Sequence, residues 1–334
     1  MEKPFPLFRL PRLAIEEVIS TMTPFEIINF SMTSLKIKCF IKCFLRTSRN
    51  SQYVLQMHTN EDPAVSIKGS ETTYEFTVTS DKTKDGMSGM REFKYFMEIK
   101  KIYTLWMYSE NVIDGWMKMV KIVKEIFKFK KHYAIFIIDT FPTRNKAIVD
   151  FMKSQTPSID GCEIYGNAET DQDVEYFLIN INVTNCLEMI SRLSDHFKFP
   201  QVNFLDTCTL DPANWLTFDQ LLYLKGARLL INGSLLTNQE LNQFLILWMT
   251  SQCHQNLSFL RINITDPESI DIILDLPHKV MNPNLERIVT LPNNNTALLY
   301  GGIDIKRNDG MTGTIYCDWR EEEMELTMVI FRNE

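Results

Sequence analysis

The stretch from Ser34 to Leu45 holds eight apolar residues among twelve: Leu35, Ile37, Cys39, Phe40, Ile41, Cys43, Phe44 and Leu45. These positions surround a helix instead of lining one side of it, so the pattern predicts a helix buried on more than one side. Two shorter helices are predicted ahead of it. Pro11 opens the first, since proline suits the first helical turn. Ile15, Val18, Ile19 and Met22 follow as a single apolar stripe. Thr23-Pro24-Phe25-Glu26 opens the second as a capping box with proline at the first helical position. That helix turns Phe25, Ile28 and Phe30 inward and stops near Ser31. About forty residues rarely sustain a core of their own. The segment carries more apolar surface than three short helices hide among themselves, so it must dock on the rest of the chain or on a partner.

The polar run 46–51 reads as a linker. Beyond it the periodicity changes to strands: Tyr53 to Met57, Ala64 to Ile67 and Tyr74 to Val78, with turns at Asn60-Glu61-Asp62-Pro63 and Gly69-Ser70-Glu71. This predicts a three-stranded meander followed by a polar loop, 80–90. Residues 116–131 read as an amphipathic helix. Trp116, Met119, Val120, Val123 and Phe127 lie on one side, and Lys118, Lys121, Lys124 and Lys128 on the other. A basic amphipathic helix suits calmodulin or an acidic membrane. A packed helix with a solvated lysine face is the simpler reading, because a strand, Tyr133 to Ile138, follows at once.

Strand-like cores then recur ahead of helix starts. Val202 to Leu205 precedes a capping box at Thr217 to Gln220. Arg228 to Ile231 precedes another at Thr237 to Glu240. Ser258 to Ile262 precedes Asp266-Pro267, read as N-cap and first helical residue. The apolar pairs 204–205, 229–230 and 259–260 set the period, and Ile135 to Ile138, Glu163 to Tyr165 and Leu187 to Ile190 are earlier candidates. A strand-plus-helix unit at this period resembles an irregular leucine-rich repeat, whose units stack into a curved parallel sheet. A non-repetitive α/β domain is the alternative. Antiparallel strands close the pattern: Gly302 to Arg307, a hairpin turn at Asn308-Asp309-Gly310, Thr314 to Cys317 and Glu325 to Phe331. Glu321-Glu322-Glu323 reads as a solvated acidic turn.

Composition narrows the chemistry. A length of 334 residues suggests about two domains. A net charge of -7 argues against a nucleic-acid binder. No apolar run has the length of a membrane span, and no secretory signal is visible, so a cytoplasmic or nuclear location is expected and secretion is not. The seven cysteines are expected to be reduced and mostly buried. No G-x-S-x-G, P-loop, G-x-G-x-x-G or C-x-x-C occurs. Cys39 and Cys43 read as core, and Cys253-His254 with the distant His278 lacks zinc-site spacing. No catalytic residue, metal ligand or cofactor is expected, although a Cys–His pair assembled from scattered residues would leave no trace in sequence.

Three stretches carry a family resemblance. Phe5-Pro6-Leu7-Phe8-Arg9-Leu10-Pro11-Arg12-Leu13, then Ile15, Val18, Ile19, Met22, Ser31 and Ser34, resembles an F-box of the nematode style. Asn214 to Leu222 and Leu235 to Trp248 resemble the type 2 F-box-associated domain of the same proteins. Gly301 to Gly310, then Thr314-Ile315, resembles their C-terminal ending. The resemblance departs in the third helix, where Leu35-Lys36-Ile37-Lys38 replaces an aromatic-plus-basic stretch. It implies a three-helix F-box over 1–45 and, after the 46–51 linker, an F-box-associated substrate-binding domain over 52–334. Leucine-rich-repeat-like β/α units would occupy about 133–276 and a C-terminal meander about 301–331, an α+β or α/β fold with antiparallel meanders at both ends. Leu10, Pro11, Ile15, Val18, Ile19, Met22, Phe25 and Ile28 would form the face for a Skp-family adaptor, and through it a cullin–RING ligase. The implied function is the substrate-recognition subunit of an SCF-type (Skp–cullin–F-box) ubiquitin ligase, acting by proximity without chemistry of its own. The alternatives are an interaction scaffold without ligase coupling and an enzyme with a hidden site in the C-terminal domain.

Overall fold

The computed structural model describes residues 10–47, 53–95, 98–167, 170–291, 296–320 and 323–332. It divides into two compact units, Met1–Ile135 and Phe136–Glu334. The first begins with α1 (Arg12–Thr21), α2 (Pro24–Ser31) and α3 (Leu35–Thr47). The Thr23–Glu26 capping box forms as expected, and Pro11 sits at the cap of α1. Residues Phe5 to Arg9 lie outside the described residues. So do 48–51 of the expected linker, whose first two positions belong to α3.

The expected meander follows as β1 (Val54–His58), β2 (Ala64–Lys68) and β3 (Thr72–Thr79). Two further strands, β4 (Ser88–Tyr95) and β5 (Glu98–Tyr108), form a hairpin, and β5 lies parallel to β3. The polar loop expected over 80–90 therefore gives way to a strand at Ser88. Gly89 allows this, since a Cβ there would meet the Trp106 ring at 3.1 Å. Helix α4 (Val112–Ile126) starts earlier than the predicted Trp116 because Asn111 caps it, its Oδ1 accepting from the Asp114 N–H at 3.1 Å. It stops at Ile126, where Phe127 turns extended. Trp116, Met119, Val120 and Val123 are buried, and the Trp116 indole donates to the Ala64 carbonyl at 2.9 Å. Lys118, Lys121 and Lys128 are exposed and Lys124 is half-buried, as a packed helix with a solvated basic face requires. Strand β6 (Lys131–Ile137) runs parallel to β1 through Ile135.

The N-terminal helices dock on this unit. Phe25 meets Tyr74 and Phe76 edge-on at 5.4 and 4.8 Å. Lys38 and Lys42 of α3 both pair with Glu125 of α4, the latter at 3.3 Å. Burial of α3 on several sides does not follow: Ile41 is fully buried, but Leu35 is 77% exposed, and Cys39 and Cys43 face solvent. Among the described residues, Ile41 marks the packed side of α3 and Leu35 its exposed side.

The second unit is built from α5 (Asn145–Gln155), β7 (Ser158–Gly166), α6 (Asp171–Asn180), β8 (Asn182–Ser191), β9 (Leu205–Asp211), α7 (Phe218–Tyr223), β10 (Gly226–Ile231), α8 (Asn238–Met249), β11 (Phe259–Asn263) and α9 (Ile270–Ile273). Strands β7 to β11 are parallel, each beside the one before it. The short β12 (Lys279–Val280), the hairpin β13 (Glu286–Thr290) and β14 (Thr296–Tyr300), and β15 (Ile303–Lys306), β16 (Met311–Arg320) and β17 (Glu323–Arg332) complete it. β17 adds antiparallel to β11, then β16 and β15 follow. One buried row crosses seven strands in register: Cys162, Leu187, Cys208, Leu229, Leu260, Met328 and Ile315. Helices cover this side, with Phe177 stacked on Phe136 at 5.2 Å and the buried Trp248 over Gly313.

The capping boxes at Thr217 and Thr237 form as read. Two expectations change. The strand expected over Val202 to Leu205 begins only at Leu205, where the alternation that buries Cys208 and Leu210 starts; Cys208, not the 204–205 pair, lies beside Leu229. Asp266 makes no side-chain cap, and Pro267–Ser269 form a tight 3-10 turn ahead of the four-residue α9. The hairpin at 308–310 is as read: Gly310 takes φ +90°, and Arg307 grips Asp309 through two hydrogen bonds of 2.9 and 2.8 Å. Glu323 opens β17, while 321–322 of the acidic turn lie outside the described residues. The chain is thus a mixed α/β protein.

Candidate functional site

Successive strand residues point to opposite faces. The row that buries Cys162 and Leu229 therefore has a second face opposite it on β7 to β11. Two rows of half-buried or exposed side chains form it. Glu163, Glu188, Thr209, Leu230 and Arg261 make one, and Cys186, Thr207, Arg228 and Phe259 the other.

The charges on this face are segregated. Glu163 and Glu188 stand opposite one another across β7 and β8. Burial raises the Glu188 carboxyl above its ordinary range, and the Glu163 charge adds to that. The Tyr165 hydroxyl donates to Glu163 Oε2 at 3.0 Å, and burial followed by that bond pushes its pKa up to about 12. The Cys186 thiol is raised by burial and then by Glu188, Glu163 and Asp206. At the other end the Arg228 guanidinium lies over the Phe259 ring at 4.9 Å, a cation–π arrangement that holds it flat on the sheet. Arg261 pairs with Glu325 at 3.8 Å. The face runs from acidic through uncharged to basic.

The eight residues of the expected adaptor face do not share one environment. Ile15, Ile19 and Ile28 are buried, Leu10, Val18, Met22 and Phe25 are half-buried, and Pro11 is exposed. Beside them Leu13, Met32 and Leu35 are 79%, 63% and 77% exposed, and none of the three was among the residues expected to form the adaptor face. Exposed leucines on the outer side of short helices are the signal that would have found them.

The approach to catalytic geometry lies in the first unit and fails on chemistry. Ser66 Oγ is 3.3 Å from His58 Nε2 and 3.5 Å from Glu75 Oε2. Ser66 is 1% exposed, and the carboxylate contacts the serine instead of orienting the imidazole. Burial, then Arg91 and Lys68, hold the His58 pKa down to about 4, too weak a base at neutral pH. Cys162 is raised well above the thiol range and Cys208 to about 12 by burial, which leaves them protonated and unreactive. His254 donates its Nε2–H to the Leu221 carbonyl, 2.9 Å away, as a packed core histidine does. Among the described residues no group of three or more His, Cys, Asp or Glu is placed to hold a metal ion, and no helix is long and apolar enough to cross a membrane.

Segregated charge on half-buried and exposed side chains gives β7 to β11 a surface able to select a charged ligand. Residues 196–262, which take in β9, α7, β10, α8 and most of β11, match the family described as F-box associated, in agreement with the resemblance read over Asn214 to Leu222 and Leu235 to Trp248. The chain is similar to the Skn-1 dependent zygotic transcript 15 protein of Caenorhabditis elegans, 26% identical over 273 residues, which cover 73% of this chain and 75% of that relative. No solved structure matches.

Proposed function

We propose that this chain is the substrate-recognition subunit of an SCF-type ubiquitin ligase. Residues 1–45 act as the F-box, and 52–334 as the F-box-associated domain, with leucine-rich-repeat-like units through β7 to β11. The F-box-associated match over 196–262 is the observation that carries this reading. The exposed Leu13, Met32 and Leu35 support it, because solvent-facing apolar side chains on a small helical module call for a partner. The adaptor meets Leu10, Pro11, Val18 and Met22 together with Leu13, Met32 and Leu35. Ile15, Ile19, Phe25 and Ile28 shape that face from below by fixing the helices. Ubiquitin transfer onto a bound target then needs only a high effective concentration, with no reactive group from this chain.

Co-purification with a recombinant Skp-family adaptor tests the proposal. The wild-type chain retains the adaptor, whereas Leu10→Ala/Pro11→Ala and Leu13→Asp/Leu35→Asp release it. Failure of the wild-type chain to retain the adaptor overturns the reading. Retention of the adaptor without any cullin in the complex favours a scaffold uncoupled from the ligase.

A further inference from the structure

We propose that the open face of β7 to β11 binds an extended segment of the target protein, in which a Lys or Arg sits over Glu163 and Glu188 and an Asp or Glu four residues away meets Arg228. This deepens the substrate-receptor reading and rests on it.

Four observations converge on that occupant. Among the described residues, neither Glu163 nor Glu188 is ion-paired with a Lys or Arg of this chain, although they stand side by side in register. A cation placed between them relieves their mutual repulsion as well as pairing with each, so the site selects positive charge. Arg228 is likewise without a carboxylate partner, and its ring contact leaves the guanidinium edge available for a bidentate carboxylate. Arg261 already has a carboxylate neighbour in Glu325, 3.8 Å away, so among the described residues of these two rows Arg228 is the cation without one.

Geometry sets the spacing. Glu188 and Arg228 are two strands apart, and Arg228 is in register with Cys186, two positions before Glu188. With strands about 4.8 Å apart and about 3.3 Å per residue, their backbones are roughly 12 Å from one another. An extended ligand rises about 3.4 Å per residue and presents alternate side chains to the same face, so residues four apart match that span. The side chain midway between them lies over Thr207 and Thr209 of β9, which suits a small uncharged residue.

Displayed random peptides panned on the purified full chain test this directly. The enriched peptides are expected to pair a basic with an acidic residue four positions apart. Glu163→Gln/Glu188→Gln is expected to lower recovery of these peptides about tenfold, an energy of about 1.4 kcal/mol. Arg228→Gln does the same, and because Arg228 is exposed, that variant remains informative if the double variant does not fold. Enriched peptides lacking this pairing, the same peptides recovered from wild type and folded variants, or no enrichment at all each overturn the inference. Adaptor co-purification is run on the same proteins. Adaptor retained with unchanged peptide recovery removes the charge-pair inference alone, and adaptor lost from the wild type removes the ligase reading.

Discussion

Glu188 pays for its place beside Glu163 in the folded state. Its carboxyl is raised by burial and by the neighbouring charge, so the folded chain holds that proton more tightly than the unfolded chain does. Its contribution to stability is therefore full below the ordinary carboxyl pKa and falls as pH rises through the raised value. Glu188→Gln should be near neutral in acid and stabilising at pH 7, by on the order of 0.5 kcal/mol once solvent screening of this part-exposed side chain is included. Urea unfolding of both proteins at acidic and neutral pH checks the sign. An equal or larger effect in acid contradicts it. A residue-scale reading of sequence had no means to find this pair. Alternation shows that Glu163 and Leu187 belong to opposite faces, but it does not align Glu163 with Glu188; the β7–β8 register does.

Elements follow local signals wherever neighbours in sequence supply the stabilising groups. The capping boxes at Thr23, Thr217 and Thr237 satisfy orphan N–H groups with side chains three residues away, and all three were legible in advance. Thr237→Ala should cost about 1 kcal/mol by freeing the Glu240 N–H that Thr237 Oγ1 accepts at 3.3 Å. Thr237→Ser should restore most of it, and thermal melts of the three proteins measure both. At Asp266 the same kind of reading failed. The residue type was right, but the backbone at ψ 84° does not bring the carboxylate to a capping position. Strands β4 and β5 were missed for a different reason: β5 is aligned by its parallel partner β3, which no short-range pattern announces.

For the whole molecule, the buried row through Cys162, Leu187, Cys208, Leu229, Leu260, Met328 and Ile315 makes the second unit a shared core. Leu229 stands at its centre and is fully buried, so Leu229→Ala should remove 2–5 kcal/mol, about the cost of a core cavity of that size. Leu235→Ala, at a side chain 65% exposed, should change stability by less than about 0.5 kcal/mol. Chemical denaturation followed by tryptophan fluorescence separates the two, since Trp215 and Trp248 are buried in this unit. The strand–helix alternation of this unit was visible in sequence because each strand and its helix are close in the chain. The seating of β17 against β11 was not, because it joins Phe259 to Val329 across an intervening set of strands.

That seating has a consequence for synthesis. During translation β11 leaves the ribosome well before β17, and in the interval its outer row of N–H and C=O groups has no strand to pair with. A bare, flat, apolar strand edge is a template for joining another chain. Nascent or prematurely terminated chains that lack β17 should therefore be preferred clients of chaperones that bind exposed strands, and messages cut ahead of the last hairpin should yield aggregates instead of a smaller soluble protein. Solubility of a chain stopped after Lys306, compared with the full chain at equal expression, reads this out.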